Sequence, residues 1–124
     1  ISIQSDQAIE EAALLMEEHR ISGLPVLDGG ELVGIVTITD LMRAVTTFLG
    51  LREGGNRVTI RVPDKPGVMA SVAQHAAPSN IVAVATVGLR EKDERTVVVR
   101  IAGEGASEFA SRLRAGGIEV IDER

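Results

Sequence analysis

Along the first twenty positions the apolar residues Ala8, Ile9, Ala12, Leu15 and Met16 recur at helical spacing, while Glu10, Glu11, Glu17 and Glu18 fill the other faces. This pattern predicts an amphipathic helix over residues 7–19, with Ser5 or Asp6 placed to cap it. Two short apolar runs follow, Leu24-Pro25-Val26-Leu27 and Leu32-Val33-Gly34-Ile35-Val36-Thr37-Ile38, separated by Asp28-Gly29-Gly30. Two such runs around a glycine turn predict a β-hairpin. Leu41, Met42, Val45, Phe48 and Leu49 then form a second helical stripe, which Thr39 can cap and Gly50 can end. Ile1-Ser2-Ile3-Gln4 reads as the tail of an earlier strand.

The remaining chain follows a different order. Val58, Ile60 and Val62 alternate with Arg57, Thr59 and Arg61, the period of a strand with one face on a core. A helix over Val68, Met69, Val72, Ala73 and Ala76 ends before Pro78. Residues 81–87 and 96–101 read as strands joined by the charged, solvated tip Arg90-Glu91-Lys92-Asp93-Glu94-Arg95. Residues 106–115 read as a helix with Phe109, Ala110 and Leu113 inward. Gly116-Gly117 stops that helix, and residues 118–121 make a last strand. The order βαββαβ predicts a ferredoxin-like split unit, and the fold class is α+β.

The loop-like segment Gly50-Leu51-Arg52-Glu53-Gly54-Gly55-Asn56 divides the 124 residues into modules of different charge. Residues 1–55 carry three basic side chains (Arg20, Arg43, Arg52) and nine acidic ones, a net of −6; residues 56–124 carry ten and nine, a net of +1. The predicted layout is a first domain over 1–52, a linker over 53–56 and a second domain over 57–124. A total charge of −5 argues against nucleic acid as a partner, since neutralising phosphates needs clustered cations. The chain has no cysteine, which removes disulfides and thiolate chemistry and fits a cytoplasmic setting. No apolar run approaches the roughly 20 residues of a bilayer crossing, so no membrane contact is expected. His19 and His75 lack further ligands at metal-binding spacing, and no metal site is expected. Gly103-x-Gly105 reads as a turn, because Glu108 stands where a dinucleotide fingerprint needs its third glycine. The start at Ile1 suggests a piece of a longer polypeptide.

Two segments carry candidate chemistry. A strand ending near Thr37 and turning into a helix at Thr39-Asp40 sets hydroxyls and a carboxylate beside a helix N-terminus. That arrangement can receive a hydroxyl-rich or anionic ligand, or can simply cap the helix. In Asp64-Lys65-Pro66-Gly67-Val68, Gly67 lets a ligand approach the backbone and Asp64 can meet an ammonium group. The same residues also make a tight capped turn.

Ile-Ser-Gly-Leu-Pro-Val at 21–26, the Asp28-Gly29 turn and Gly-hydrophobic-Val-Thr-x-x-Asp at 34–40 resemble a CBS domain, the small nucleotide-sensing module. The resemblance implies that the backbone around Ile21, Ser22, Gly23 and Pro25 reads an adenine. It further implies that Thr37 and Thr39 contact ribose or phosphate and that Asp40 holds the ribose hydroxyls. Because this half carries a net −6 and few cations to meet phosphates, AMP, adenosine or S-adenosylmethionine is expected ahead of ATP. Such domains normally work in tandem, and one copy is present here. Asp64-x-Pro66-Gly67-Val68, with Asn80-Ile81 ahead of the second strand, resembles an ACT domain, a module that usually binds amino acids. The resemblance implies a site made by Asp64, Pro66, Gly67 and Val68 together with the Asn80-Ile81 pair, whose Asn80 reaches in across an interface; Pro78-Ser79 departs from the glycine usual there.

Together these readings imply a CBS-ACT ligand-sensing regulatory protein, similar to acetoin-utilisation regulators, with no catalytic residues and no cofactor. The alternative is a ligand-free assembly module. A homo-oligomer, first of all a homodimer, is expected, because Val33, Ile35, Leu41, Val45 and Phe48 have few partners within so short a first half, and Val82, Val84 and Val98 face a similar shortage in the second.

Overall fold

The computed structural model describes residues 1–91 and 93–124, of which residues 89–91 are described by their backbone. It divides into two compact units, Ile1–Thr47 and Phe48–Arg124.

In the first unit, strand β1 (Ile3–Gln4) lies parallel to β2 (Gly23–Asp28), which pairs antiparallel with β3 (Glu31–Thr37). Helices α1 (Ile9–His19) and α2 (Ile38–Phe48) complete the helix-strand-strand-helix order. The core is Ile3, Ala12, Met16 and Leu24, with Leu15, Ile21, Val26, Val36 and Leu41 packed against it. Two helix starts differ from the sequence expectation. Ala8, not Ser5 or Asp6, is the α1 cap, and its side chain makes no capping bond. The chain leaves β1 through a turn in which Ser5 N–H donates to Leu27 O, so Ser5 is committed to the sheet. In α2 the cap is Thr37, two residues before Thr39, because the helix begins as soon as β3 ends.

In the second unit, β4 (Asn56–Pro63), β5 (Asn80–Glu91), β6 (Glu94–Ala102) and β7 (Glu119–Glu123) form one antiparallel sheet in the order β5-β6-β4-β7. Helices α3 (Val68–Gln74) and α4 (Phe109–Ala115) interleave to give the ferredoxin-like βαββαβ pattern. The period-two alternation in β4 does what it predicts: Val58, Ile60 and Val62 are buried with Val97, Val99 and Ile101 of β6. Val72, Phe109, Ala110 and Leu113 close that core from the helix side. The predicted helix over 106–115 opens with a 3₁₀ turn at Ala106–Glu108, whose start at Gly105 (φ +74°) is a conformation that suits glycine. Val84 pairs with Val99 on the helix-covered side, yet lies on edge strand β5 and is 46% exposed; Val98 lies on the open face.

The charged tip at 90–95 is not wholly solvated. Its strands extend to Glu91 and Glu94, and the half-exposed Arg95 is drawn into an ion pair with Asp64 at 2.7 Å. Lys92 in that tip lies outside the described residues.

Candidate ligand-binding sites

At the β3–α2 junction, Asp40 reaches back to the end of the strand. Its Oδ2 accepts the Thr37 N–H at 2.8 Å and the Thr37 hydroxyl at 3.0 Å, while the Thr37 Oγ1 accepts the Asp40 N–H at 3.4 Å. This is a reciprocal capping box built from Thr-x-x-Asp, so both alternatives for this segment share the same atoms. The Thr37 backbone bond first, then its hydroxyl, hold the Asp40 carboxyl below its ordinary 3.8; partial burial opposes them and Arg43 adds to them. The other oxygen, Oδ1, pairs with the exposed Arg43 at 3.5 Å, and the Asp40 side chain keeps 37% of its surface exposed.

The same junction is tied to the 21–23 segment. Ile21 N–H donates to Met16 O as α1 closes through Arg20, which holds a left-handed φ of 54°. Ile38 N–H donates to Ser22 O at 3.2 Å, and Gly23 is the strand partner of Thr37. A Cβ on Gly23 would come within 3.1 Å of Ile35 Cδ1, so glycine lets that side chain lie on the backbone. The structure therefore brings Ile21, Ser22, Gly23, Thr37 and Asp40 together. Thr39 is exposed one residue inside the helix, and Pro25 is exposed farther along β2 opposite Ile35.

In the second unit, the β4–α3 turn lines a cleft of about 460 Å³ whose walls include Asp64, Gly67, Val68, Met69, Thr86 and Arg95. Gly67 starts α3 with φ 85° and has open space where a Cβ would stand, so glycine is required there by backbone conformation rather than crowding. Asp64 N–H donates to Asp93 O at 2.6 Å, and its carboxylate takes Arg95 Nε at 2.7 Å. The aspartate thus enters the cleft already neutralised, which the sequence reading missed. Nothing local in the sequence signals a partner thirty-one residues away; the β4–β6 register supplies it, since Val62 pairs with Arg95.

Asn80 is not brought to this cleft within one chain. It pairs with Ala102 at the end of the sheet where Asn56 meets Ile101, whereas Asp64 follows Pro63, which meets Glu94 at the other end. Eight extended residues separate the two ends, roughly 25 Å. Ile81 is half-buried against the core rather than turned to the cleft. Among the described residues, no three His, Cys, Asp or Glu side chains gather as a metal site, and no helix is long and apolar enough to cross a membrane.

Comparison with known proteins assigns each unit. Residues 1–47 match the CBS domain and residues 54–124 match the TTHA0829-like ACT domain. The chain is 54% identical over 53 residues to the inosine-5'-monophosphate dehydrogenase of Korarchaeum cryptofilum (strain OPF8), covering 43% of this chain and 11% of that protein. It is 51% identical over 49 residues to the uncharacterized protein MJ0653 of Methanocaldococcus jannaschii, covering 40% and 25%. The chain therefore spans a quarter or less of these curated relatives. Among solved structures, it is similar to a signal-transduction protein with CBS domains from Burkholderia ambifaria MC40-6, at 45% identity and a TM-score of 0.35 over 36% of this chain and 32% of that one. Protein BT0572 from Bacteroides thetaiotaomicron aligns with a TM-score of 0.45 and 13% identity over 97% and 86%. Consecutive CBS and ACT domains point to a regulatory, ligand-binding role. The chain belongs to the TTHA0829-like ACT domain family and carries a CBS domain ahead of its ACT domain.

Proposed function

We propose that this protein is a non-catalytic cytoplasmic sensor whose CBS domain takes AMP, adenosine or S-adenosylmethionine and whose ACT domain takes an amino acid between two copies. The observation that carries the nucleotide reading is the part-exposed Asp40 carboxylate, fixed at the β3–α2 junction that is bonded to Ser22 and paired with Gly23. The capping bonds use Oδ2, and Oδ1 is held only by the exposed ion pair to Arg43, which a ribose diol beside the Ser22–Gly23 backbone can share or displace. Thr37 and Asp40 orient that oxygen, Ile21 to Gly23 present backbone to the base, and Thr39 stands exposed at the helix start where a ribose or phosphate oxygen would lie. A bound nucleotide shifts the protein toward whichever arrangement binds it better, and by no more than its differential affinity.

On the ACT side, the cleft lined by Asp64, Gly67 and Val68, with Pro66 in the same turn but outside the lining, supplies half a site, and Asn80 of a second copy supplies the rest, since its own Asn80 lies at the far end of the sheet. The Asp64–Arg95 pair offers one group of each sign to the ammonium and carboxylate of an amino acid. Calorimetric titration of the full chain with AMP tests the nucleotide reading, with Asp40→Ala as the control. Equal affinity of wild type and variant would reject the site.

A second reading, an assembly module without ligand, is favoured by the apolar side chains left open on the CBS unit. Val33, Ile35, Met42 and Val45 are each more than half exposed. Absence of binding by any adenine nucleotide or amino acid, together with a stable oligomer, would decide for it.

A further inference from the structure

On the sheet face of the ACT unit that carries no helix, three arginines stand in one row across adjacent strands. Arg57 of β4 pairs directly with Arg100 of β6, and on its other side it exchanges both backbone hydrogen bonds with Arg124, which follows β7. Like charges directly opposite one another in a sheet are unfavourable, so such a row calls for compensation. Two members have it: Arg100 donates to the carbonyls of Leu49 and Gly54, and Arg124 pairs with Asp122 at 3.0 Å. The middle one, the half-buried Arg57, makes no side-chain hydrogen bond or ion pair among the described residues.

All three line a single cleft of about 420 Å³. Its floor on the β5–β6 side is Ala83, Ala85, Val87 and Val98, and Leu49 and Leu51 overhang it. The overhang depends on Gly50, buried with φ 63°, where a Cβ would fall 2.8 Å from Val82 Cγ1. The cleft is thus apolar on its β5–β6 side and cationic along the row, where Arg100 borders the apolar floor and Arg57 stands next to it, between Arg100 and Arg124.

We propose that this cleft binds a small organic anion with an apolar body, an aliphatic or aromatic carboxylate whose head meets Arg57 and whose body lies on Ala85 and Val98. A second copy docked through two-fold symmetry would set a cationic row against itself, so the charges favour the small anion as occupant. This site is separate from the Asp64 cleft, which lies on the helix side of the same sheet and is lined by Thr86 and Val97 instead.

The test follows backbone amide shifts of the full chain titrated with octanoate, beside 1-octanol and inorganic phosphate. Octanoate is expected to move the amides of Arg57, Ala85 and Val98 saturably, while the other two, each lacking one half of the chemistry, bind at least about tenfold more weakly. Arg57→Gln is expected to weaken octanoate by roughly tenfold or more. Ala85→Asp, which sets a carboxylate on the open floor, does the same and decides the matter if the first variant does not fold. No saturable octanoate binding, equal binding of phosphate, indifference to both substitutions, or shifts confined to residues 64–70 would overturn the proposal. So would movement of the same amides with protein concentration alone, which would make a second copy the occupant.

Discussion

Arg112 holds the loop that leads into Asn80, and removing it is the most informative single perturbation of the ACT unit. From α4 its Nε donates to His75 O at 2.8 Å, one terminal nitrogen to Gly105 O at 2.8 Å, and the other to Ala76 O at 3.0 Å and Ser79 Oγ at 3.2 Å. Ser79 in turn donates to Glu104 O. One planar guanidinium therefore fastens the end of α3, the turn after β6 and the entry to β5, while lying 5.8 Å from the Phe109 ring centre. A hydrogen bond from a charged donor contributes about 1.5 to 3 kcal/mol when dry; these groups are part-buried, so about 1 kcal/mol for each of the three carbonyl bonds is reasonable. Arg112→Ala should then destabilise the unit by about 3 kcal/mol in urea unfolding, with the slope unchanged. Arg112→Lys, which keeps the charge but loses the fork, should recover less than half. Amide exchange at Ser79, Asn80 and Ile81 should quicken in both variants, and a ligand that needs Asn80 should bind more weakly. A loss below about 1 kcal/mol, or a lysine variant as stable as the wild type, would refute the reasoning.

Asp40→Ala should lower AMP affinity in calorimetry by about tenfold or more, because Oδ1, held only by the exposed Arg43, is the oxygen that would accept from a ribose. The Asp40 carboxyl titrates lower in the folded protein than its ordinary 3.8, so its contribution to the CBS unit is fully present above that value and is lost as the pH falls through the depressed one. An acid titration by circular dichroism should show this loss in the wild type and a flatter profile in Asp40→Ala. AMP should outcompete magnesium-free ATP, since the CBS half carries a net −6 and gains little from added phosphates; tighter ATP binding would contradict this. Gly116→Ala should destabilise the ACT unit by about 1 to 3 kcal/mol although its φ of −86° suits alanine, because a Cβ there falls on the His75 ring. Adding His75→Ala should relieve most of that loss, and simple additivity of the two changes would reject the explanation.

Most of the fold was legible in the sequence because its signals are local. Alternation at Val58, Ile60 and Val62 needs only a period of two, and the helical stripe at Ala12 and Met16 only a period of 3.6. Helix starts were less legible. Thr37 and Thr39 are equally good caps by type, and what separates them is that β3 pairs with Gly23 up to Thr37 and then turns at once. The Thr-x-x-Asp spacing was the available clue, since an aspartate three residues into the helix can close a box only on Thr37.

The sites divide along the same line. Ser22, Gly23, Thr37 and Asp40 are neighbours because a short hairpin returns the chain on itself, so a local motif is sufficient to assemble them. Asp64 with Arg95, and Arg57 with Arg100, are neighbours only through the register of β4 on β6, and a shift of one residue would have sent every one of these side chains to the other face. In β4 the outward positions Arg57, Thr59 and Arg61 read as an ordinary solvated face. The same register that sends Val58 and Ile60 into the core also lines Arg57 up with Arg100, so burying the core and building the cationic row are one event. An insertion that moved the row would expose the core, which makes the charged face as firmly specified as the apolar one.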